Sequence, residues 1–159
     1  MTDTLKITIR NATKNDVPAI ANLLRGLQQF DHLNEEPPAA TEARIRHHFR
    51  LCQAGNSHTI YVAENAQGVV DGYTVVHWLP YLLLKGPEGY VSELFVRVSA
   101  QGQGIGRRLL EAVKTEGKKR GCLRLSLLNM RHRESYQRGF YKKMGWEERG
   151  LAANFVLYL

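Results

Sequence analysis

Cysteine is scarce in this chain. Among 159 residues only Cys52 and Cys122 are cysteines, far apart and with no second ligand at motif spacing. That excludes a disulfide-stapled scaffold and a thiolate zinc site, and predicts two free thiols in a reducing compartment. Histidine is thin too. Six are scattered and only His47 and His48 are neighbours; adjacent residues on a helix point in different directions, so no metal site is expected. Long hydrophobic runs are missing. Nothing approaches the ~18 apolar residues that cross a bilayer, and the opening MTDTLKITIR holds no apolar stretch of signal-peptide length. A cytoplasmic protein without a membrane partner is expected. Acidic charge is in deficit, with 15 Asp and Glu against 22 Lys and Arg, a net charge of +7. That excess favours an anionic partner, either nucleic acid or a polyphosphate cofactor.

The basic residues gather late, at Arg107-Arg108, Lys114, Lys118-Lys119-Arg120, Arg131, Arg133, Arg138 and Lys142-Lys143. Aromatic residues do not alternate with them as a base-stacking platform requires, which weighs against nucleic acid. A solvated helix face accounts for many of these charges. With 43% hydrophobic residues, the chain suits one folded domain with a real core.

Ile7 and Ile9 alternate as a first strand. Thr13 to Asp16 approximates a capping box, Pro18 suits a first turn, and Val17, Ile20, Leu23, Leu24 and Leu27 recur at helical spacing to about Gln29. The segment FDHLNEEPPAA reads as a loop. Thr41 is expected to cap a second helix, with Ile45, Phe49 and Cys52 inward, ended by Gly55-Asn56. Thr59 to Glu64 and Val69 to Leu79 read as two strands joined through Asn65-Ala66-Gln67-Gly68. After an apolar connection, Tyr90 to Val98 reads as a strand buried on both faces. A helix follows to about Gly121, then a strand of leucines, Leu123 to Leu128. Tyr136, Phe140 and Met144 share one face of a final helix stopped by Gly145. Trp146 to Arg149 and Phe155 to Leu159 are expected to close the sheet as two strands. The order β-α-α-β-β-β-α-β-α-β-β predicts one mixed α/β or α+β domain.

The stretch Tyr90 to Leu110 carries most of the chemistry. A strand passes through Gly102, Gly104 and Gly106 into a helix, whose free N–H groups and dipole favour a phosphate. Glu93 sits inside the apolar strand, where a carboxylate is costly unless something uses it. The loop is not a Walker A loop, because no lysine follows Gly106. Nor is it the dinucleotide fingerprint, because the spacing is G-x-G-x-G and Ser126-Leu127-Leu128 stand where the acid is needed.

Gln101-Gly102-Gln103-Gly104-Ile105-Gly106 does fit Q/R-x-x-G-x-G/A, the pyrophosphate loop of the GNAT N-acetyltransferase superfamily. The chain resembles that family further. Ser92-Glu93-Leu94-Phe95-Val96 looks like its fourth strand, and Gly106-Arg107-Arg108-Leu109-Leu110 like the start of its long helix. Gly139-Phe140-Tyr141-Lys142-Lys143-Met144-Gly145-Trp146 is similar to its F-Y-x-x-x-G-F/W signature. The resemblance implies a single GNAT-like domain over residues 1–159, with a mixed sheet of about seven strands and about four helices, splayed between strands four and five.

It also implies an acetyl-CoA-dependent N-acetyltransferase that moves acetyl to a primary amine in a ternary complex, without metal. Backbone amides of Gln101, Gly102, Gln103, Gly104, Ile105, Gly106 and Arg107 would hold the pyrophosphate. Leu94, Phe95 and Val96 on one side and Asn129 on the other would pair with the pantetheine arm. Tyr141 matches the tyrosine that protonates the departing thiolate. Glu93 is a candidate base for the amine, against the alternative of a structural pair with Arg97. Glu134 stands where the family often has an asparagine contacting the cofactor, so that role is not carried over to it, and an anchor for an arginine of the run 131–135 is the alternative. Cys122 reads as a core thiol, which argues against an acyl-enzyme. The acceptor, a small molecule or a peptide amine, is expected against residues 30–40, 81–85 and 149–154, where Asp31, Glu35 and Glu36 would attract a cation. A homodimer accords with families of this kind. The competing reading is a non-catalytic basic domain that senses acyl-CoA or binds nucleic acid.

Overall fold

In the computed structural model, which describes residues 6–159, the alternation around Ile7 and Ile9 becomes strand β1 (Thr8–Asn11). Residues 1–5 of the opening, read above for a leader, lie outside the described residues. The capping box forms as expected: the Thr13 side chain accepts from the Asn15 N–H, and Asp16 accepts from the Thr13 N–H at 2.7 Å. Arg10 also grips Asp16, with two bonds of 2.8 Å, and reaches Glu64. Asp16 is thereby held below the usual carboxylate range, chiefly by Arg10.

Helix α1 (Val17–Arg25) buries Val17, Ile20, Ala21 and Leu23. Helix α2 starts at Pro38 and runs to Gln53, because Pro suits a first turn. Thr41 therefore does not cap it. The threonine is fully buried inside the helix, where it donates to Glu36 and accepts from Arg25. The segment expected to be a loop before it is largely a 3-10 helix, Gln28–Glu35.

Strands β2 (His58–Glu64), β3 (Val70–Leu79) and β4 (Glu88–Val96) pair antiparallel, and β5 (Arg124–Leu127) lies parallel to β4. The sheet order is β1-β2-β3-β4-β5. Helix α3 (Ile105–Lys119) makes the crossover that a parallel β4–β5 pair needs. Two cores result. One sheet face, with Val62, Tyr73 and Val75, packs on Val17, Ile20 and Leu23 of α1 and Phe49 of α2. The other, with Ile7 and Ala63, packs on Ala100 and on Ile105 and Leu109 of α3. Each fully buried leucine contributes about 1.5–3 kcal/mol.

Residues up to Leu127 form one compact unit and Leu128–Leu159 a second. In the second, α4 (Glu134–Gln137) and α5 (Phe140–Lys143) replace the single helix expected over Tyr136 to Met144. Gly139 sits between them in the left-handed region (φ +65°), which breaks the helix. Glu148 gathers this unit by accepting from Arg131 at 2.9 Å and from the Tyr136 hydroxyl at 3.0 Å. The sheet holds five strands, not about seven. Trp146 to Arg149 and Phe155 to Leu159 are not strands, and the residues from 150 onward are exposed. Without a neighbour to bond, their β propensity does not by itself make a strand. Among the described residues no helix is long and apolar enough to cross a membrane.

Candidate active site

The β4–α3 connection builds an anion seat from backbone alone. After β4, a 3-10 turn (Val98–Ala100) leads into Gln101–Gly104, and α3 begins at Ile105. Gly102 and Gly104 both lie at φ +78°, a region that a side chain enters only with strain. Gly104 is the N-cap, makes no side-chain cap, and no acid stands in the first turn. The helix N-terminus therefore presents N–H groups that its own side chains leave free. Gln101 turns its amide back to the Val96 carbonyl (3.1 Å), which ties the loop to the end of β4. Ile105 is buried and anchors the turn, Gly106 is half-buried, and Gln103 and Arg107 are exposed. Arg108 is engaged elsewhere, donating to the Ile7 carbonyl at 2.8 Å.

Strand β4 is open beside this seat. Its register with β5 covers Glu88 to Val91, so in these registers Glu93 to Val96 has partners only on β3. Leu94, Phe95 and Val96 lie in this open stretch, half-buried. The β3–β4 register slips at Val75/Val76, with Ser92 as the extra residue. A bulge of this kind re-aims side chains and ends pairing.

Glu93 lies on the α1/α2 face, opposite Val75. It is half-buried, and the buried Tyr73 hydroxyl donates to its Oε2. Burial pushes the Tyr73 phenol well above its ordinary range, and the Glu93 charge adds to this, so Tyr73 stays a donor. The alternative pair with Arg97 does not form. Arg97 instead reaches Asp71 (3.4 Å), Asn22 (3.2 Å) and the Val70 carbonyl (3.1 Å). Cys52 lies near enough to Glu93 to feel its charge, and burial chiefly raises that thiol. Cys122 is likewise raised by burial, the opposite of the lowering that activates a thiol.

In the second unit, Tyr141 sits on α5 with its ring against Phe140 (4.9 Å) and Trp146 (6.0 Å). Burial raises its phenol, partly offset by Arg133 and Arg138. Asn129 Oδ1 accepts from Ser135 (3.1 Å), while its buried Nδ2 has no partner among the described residues. An orphaned buried amide donor is costly and fits a ligand acceptor. Glu134 is exposed in the first turn of α4, and Arg131 pairs with Glu148 instead.

Four further side chains lie around β4. Sequence pattern places Tyr73 only within a strand, yet its hydroxyl holds Glu93. Phe30, at the edge of the presumed acceptor loop, packs edge-on against Phe95 at 5.1 Å. His58 and His77 face each other across β2 and β3 with ring centres 4.3 Å apart, and His77 bonds Ser92 Oγ at 2.8 Å. Counting outward from the 65–68 turn pairs His58 with Val75; the irregular register next to the turn, at Ala63/Glu64, brings His77 opposite instead, so the sequence carried no direct signal for the pair. Among the described residues no group of three or more His, Cys, Asp or Glu could hold a metal.

The open helix N-terminus and the unpaired half of β4 suit a phosphate-bearing ligand with an extended arm. Comparison with known proteins leads the same way. A family model described as an acetyltransferase (GNAT) domain matches residues 56–148. Thialysine N-epsilon-acetyltransferase of Bos taurus is 28% identical over 154 residues, spanning 89% of this chain and 85% of that protein. Glucosamine 6-phosphate N-acetyltransferase 1 of Oryza sativa subsp. japonica is 27% identical over 135 residues, spanning 83% and 79%. In fold, a transcriptional regulator from Bacillus halodurans C-125 matches with a TM-score of 0.84 at 22% identity, over 97% of this chain and all of that one.

Proposed function

The chain belongs to the GNAT acetyltransferase family and is an N-acetyltransferase, and from that premise we propose a direct transfer of acetyl from acetyl-CoA to a primary amine by one domain over residues 1–159. The observation that carries the reading is the uncapped α3 N-terminus beside the unpaired half of β4. Backbone N–H groups of 101–107 would take the pyrophosphate, and the free main chain of Leu94 to Val96 the pantetheine arm. The Asn129 amide would take a further polar atom of that arm. Acetyl-CoA supplies an activated thioester, whose carbonyl carbon is the electrophile.

The chain's own groups move the protons. A free amine of this class has a pKa near ~10, so it arrives as ammonium and must lose a proton before attack. Glu93 accepts that proton. Its Oε2 is occupied by Tyr73, which leaves Oε1 for the substrate. As the new C–N bond forms and the C–S bond breaks, Tyr141 gives its phenolic proton to the departing sulfur. Its raised pKa keeps that proton in place until a stronger base appears.

The acceptor is a small primary amine. The names of the two relatives, a thialysine and a glucosamine 6-phosphate acetyltransferase, support that class. A cytoplasmic location fits the two free cysteines. The test is to follow free-thiol release with acetyl-CoA and a panel of small amines, amino acids and peptides. Release must depend on the amine, and no release with any of them would sink the proposal.

A further inference from the structure

The sheet face that α1 and α2 cover turns polar at one end. His58 lies two residues before Ile60 on β2 and His77 two residues after Val75 on β3, so strand alternation puts both on that face. The register sets them opposite each other, ring centres 4.3 Å apart at 64°. A serine backs each ring: Ser57 Oγ lies 2.8 Å from His58 Nδ1, and Ser92 Oγ 2.8 Å from His77 Nε2. The other acceptor open to Ser92, the Val75 carbonyl, is 3.5 Å away and too long to compete. With each hydroxyl donating to its ring, the proton sits on the remaining nitrogen, Nε2 of His58 and Nδ1 of His77.

Among the described residues neither of these two nitrogens has a hydrogen-bond partner, and no carboxylate pairs with either ring. Burial, and then the neighbouring His58, hold His77 below the usual imidazole range. An anion placed against the pair reverses that effect and takes both N–H groups. The reacting end of the site is near. Glu93 pairs with Val75, two residues from His77 on the same face, and diagonal neighbours of this kind are about 7–8 Å apart. A cavity of about 280 Å³ opens beside His58, with Cys52, Gln53, Gly55 and Ile60 in its walls. Cys52 also feels the Glu93 charge, so cavity, histidines and carboxylate share one side of the sheet.

We infer that His58 and His77 bind a carboxylate of the amine acceptor, held at a fixed distance from its reacting nitrogen. On the reading that Glu93 Oε1 takes the amine proton, the acceptor's two ends lie roughly 6–8 Å apart. About four or five methylene groups span that gap. An α-amino group stands one carbon from its own carboxylate and cannot reach both ends, whereas the terminal amine of a longer amino acid can. Two N–H donors match the two carboxylate oxygens, and the net charge of +7 draws such anions to the protein.

The test is the thiol-release assay with ω-amino acids from glycine to ω-aminooctanoate, each beside the alkylamine of equal length. The parent's kcat/KM should peak at ω-aminopentanoate or ω-aminohexanoate, about ten- to a hundredfold above the matched alkylamine, the effect of a bond to a charged acceptor. His58→Gln should erase that ratio. With coenzyme A in place of acetyl-CoA nothing reacts, and ω-aminohexanoate should then shift the imidazole proton resonances of His58 and His77, while hexylamine should not. Equal rates for acid and alkylamine, a rate that climbs steadily with length, a ratio retained in folded His58→Gln, or unmoved imidazoles would each overturn the inference. If no amine released thiol, the transfer reading would fall and the imidazole resonances would decide this one alone.

Discussion

Replacing Gly104 by alanine separates two consequences of one glycine. The residue lies at φ +78°, and a Cβ there would meet no heavy atom within 4 Å. The cost to the empty protein is therefore conformational only. A non-glycine residue in the left-handed region costs about 1–2 kcal/mol, which for a chain of this length lowers Tm by about 2–8 °C. Gly68, in the β2–β3 turn, offers a matched control: its φ is +77° and its Cβ would also meet nothing within 4 Å. Gly68→Ala should lose the same stability. Only Gly104→Ala should weaken acetyl-CoA binding, because relief of strain there re-aims the N–H groups of the α3 N-terminus, and a methyl group enters the approach to the phosphates. A backbone bond to a charged acceptor contributes about 1.5–3 kcal/mol, so the dissociation constant should rise about ten- to a hundredfold. Calorimetric titration with acetyl-CoA beside a thermal melt measures both. Equal affinity in the two variants would refute the pyrophosphate seat, however well the melts agreed.

The remaining predictions concern protons. Tyr141→Phe should lower kcat by about 10²–10⁴ and leave acetyl-CoA affinity unchanged; an unchanged kcat would make Tyr141 a packing residue. Glu93→Gln keeps an acceptor for Tyr73 but cannot take a proton, so kcat should fall by about 10²–10⁴ with the melt preserved. Glu36 is held at about 2, mainly by Arg44 and then by Thr41. Its folded pKa lies below its unfolded one, so its stabilisation is complete above about 4.5 and is lost as pH falls toward 2. Melts of the parent and Glu36→Gln should differ by a constant amount above that range and converge below it. A difference that persists at pH 2 would show that the ion pair is not the cause.

What the sequence made legible follows from local physics. Apolar patterning placed β1 to β5 and α1 to α3, β4 and β5 as continuous apolar runs and the helices by their 3.6-residue period. The turn at Gly102 and Gly104 could be read because glycine enters the positive-φ region without strain, although Gly106 at the same spacing lies inside α3. The failures have a common cause. Trp146 to Arg149 and Phe155 to Leu159 have strand composition, but a strand exists only when another supplies its hydrogen bonds. The capping role given to Thr41 ignored Pro38, which can open a helix three residues earlier because the first turn needs no N–H from it.

Glu93 shows how far local reading reaches within the site. Sequence marked it as an acid in an apolar strand, and same-face spacing suggested Arg97 as its partner. The bulge at Ser92 lies before Glu93 and leaves that spacing intact, yet Arg97 falls just beyond β4 and turns to Asp71 and the Val70 carbonyl. Its N–H also bonds Asp71 across the sheet at 2.7 Å, so backbone and side chain are committed together. The partner Glu93 does have, Tyr73, is fixed by cross-strand register, which depends on the hairpin turns and not on distance along β4. A neutral donor holds the carboxylate in place without matching its charge. Arg97 is thus not the partner of Glu93, and the Tyr73 bond engages Oε2 alone, which supports the proposed role of Oε1 as proton acceptor.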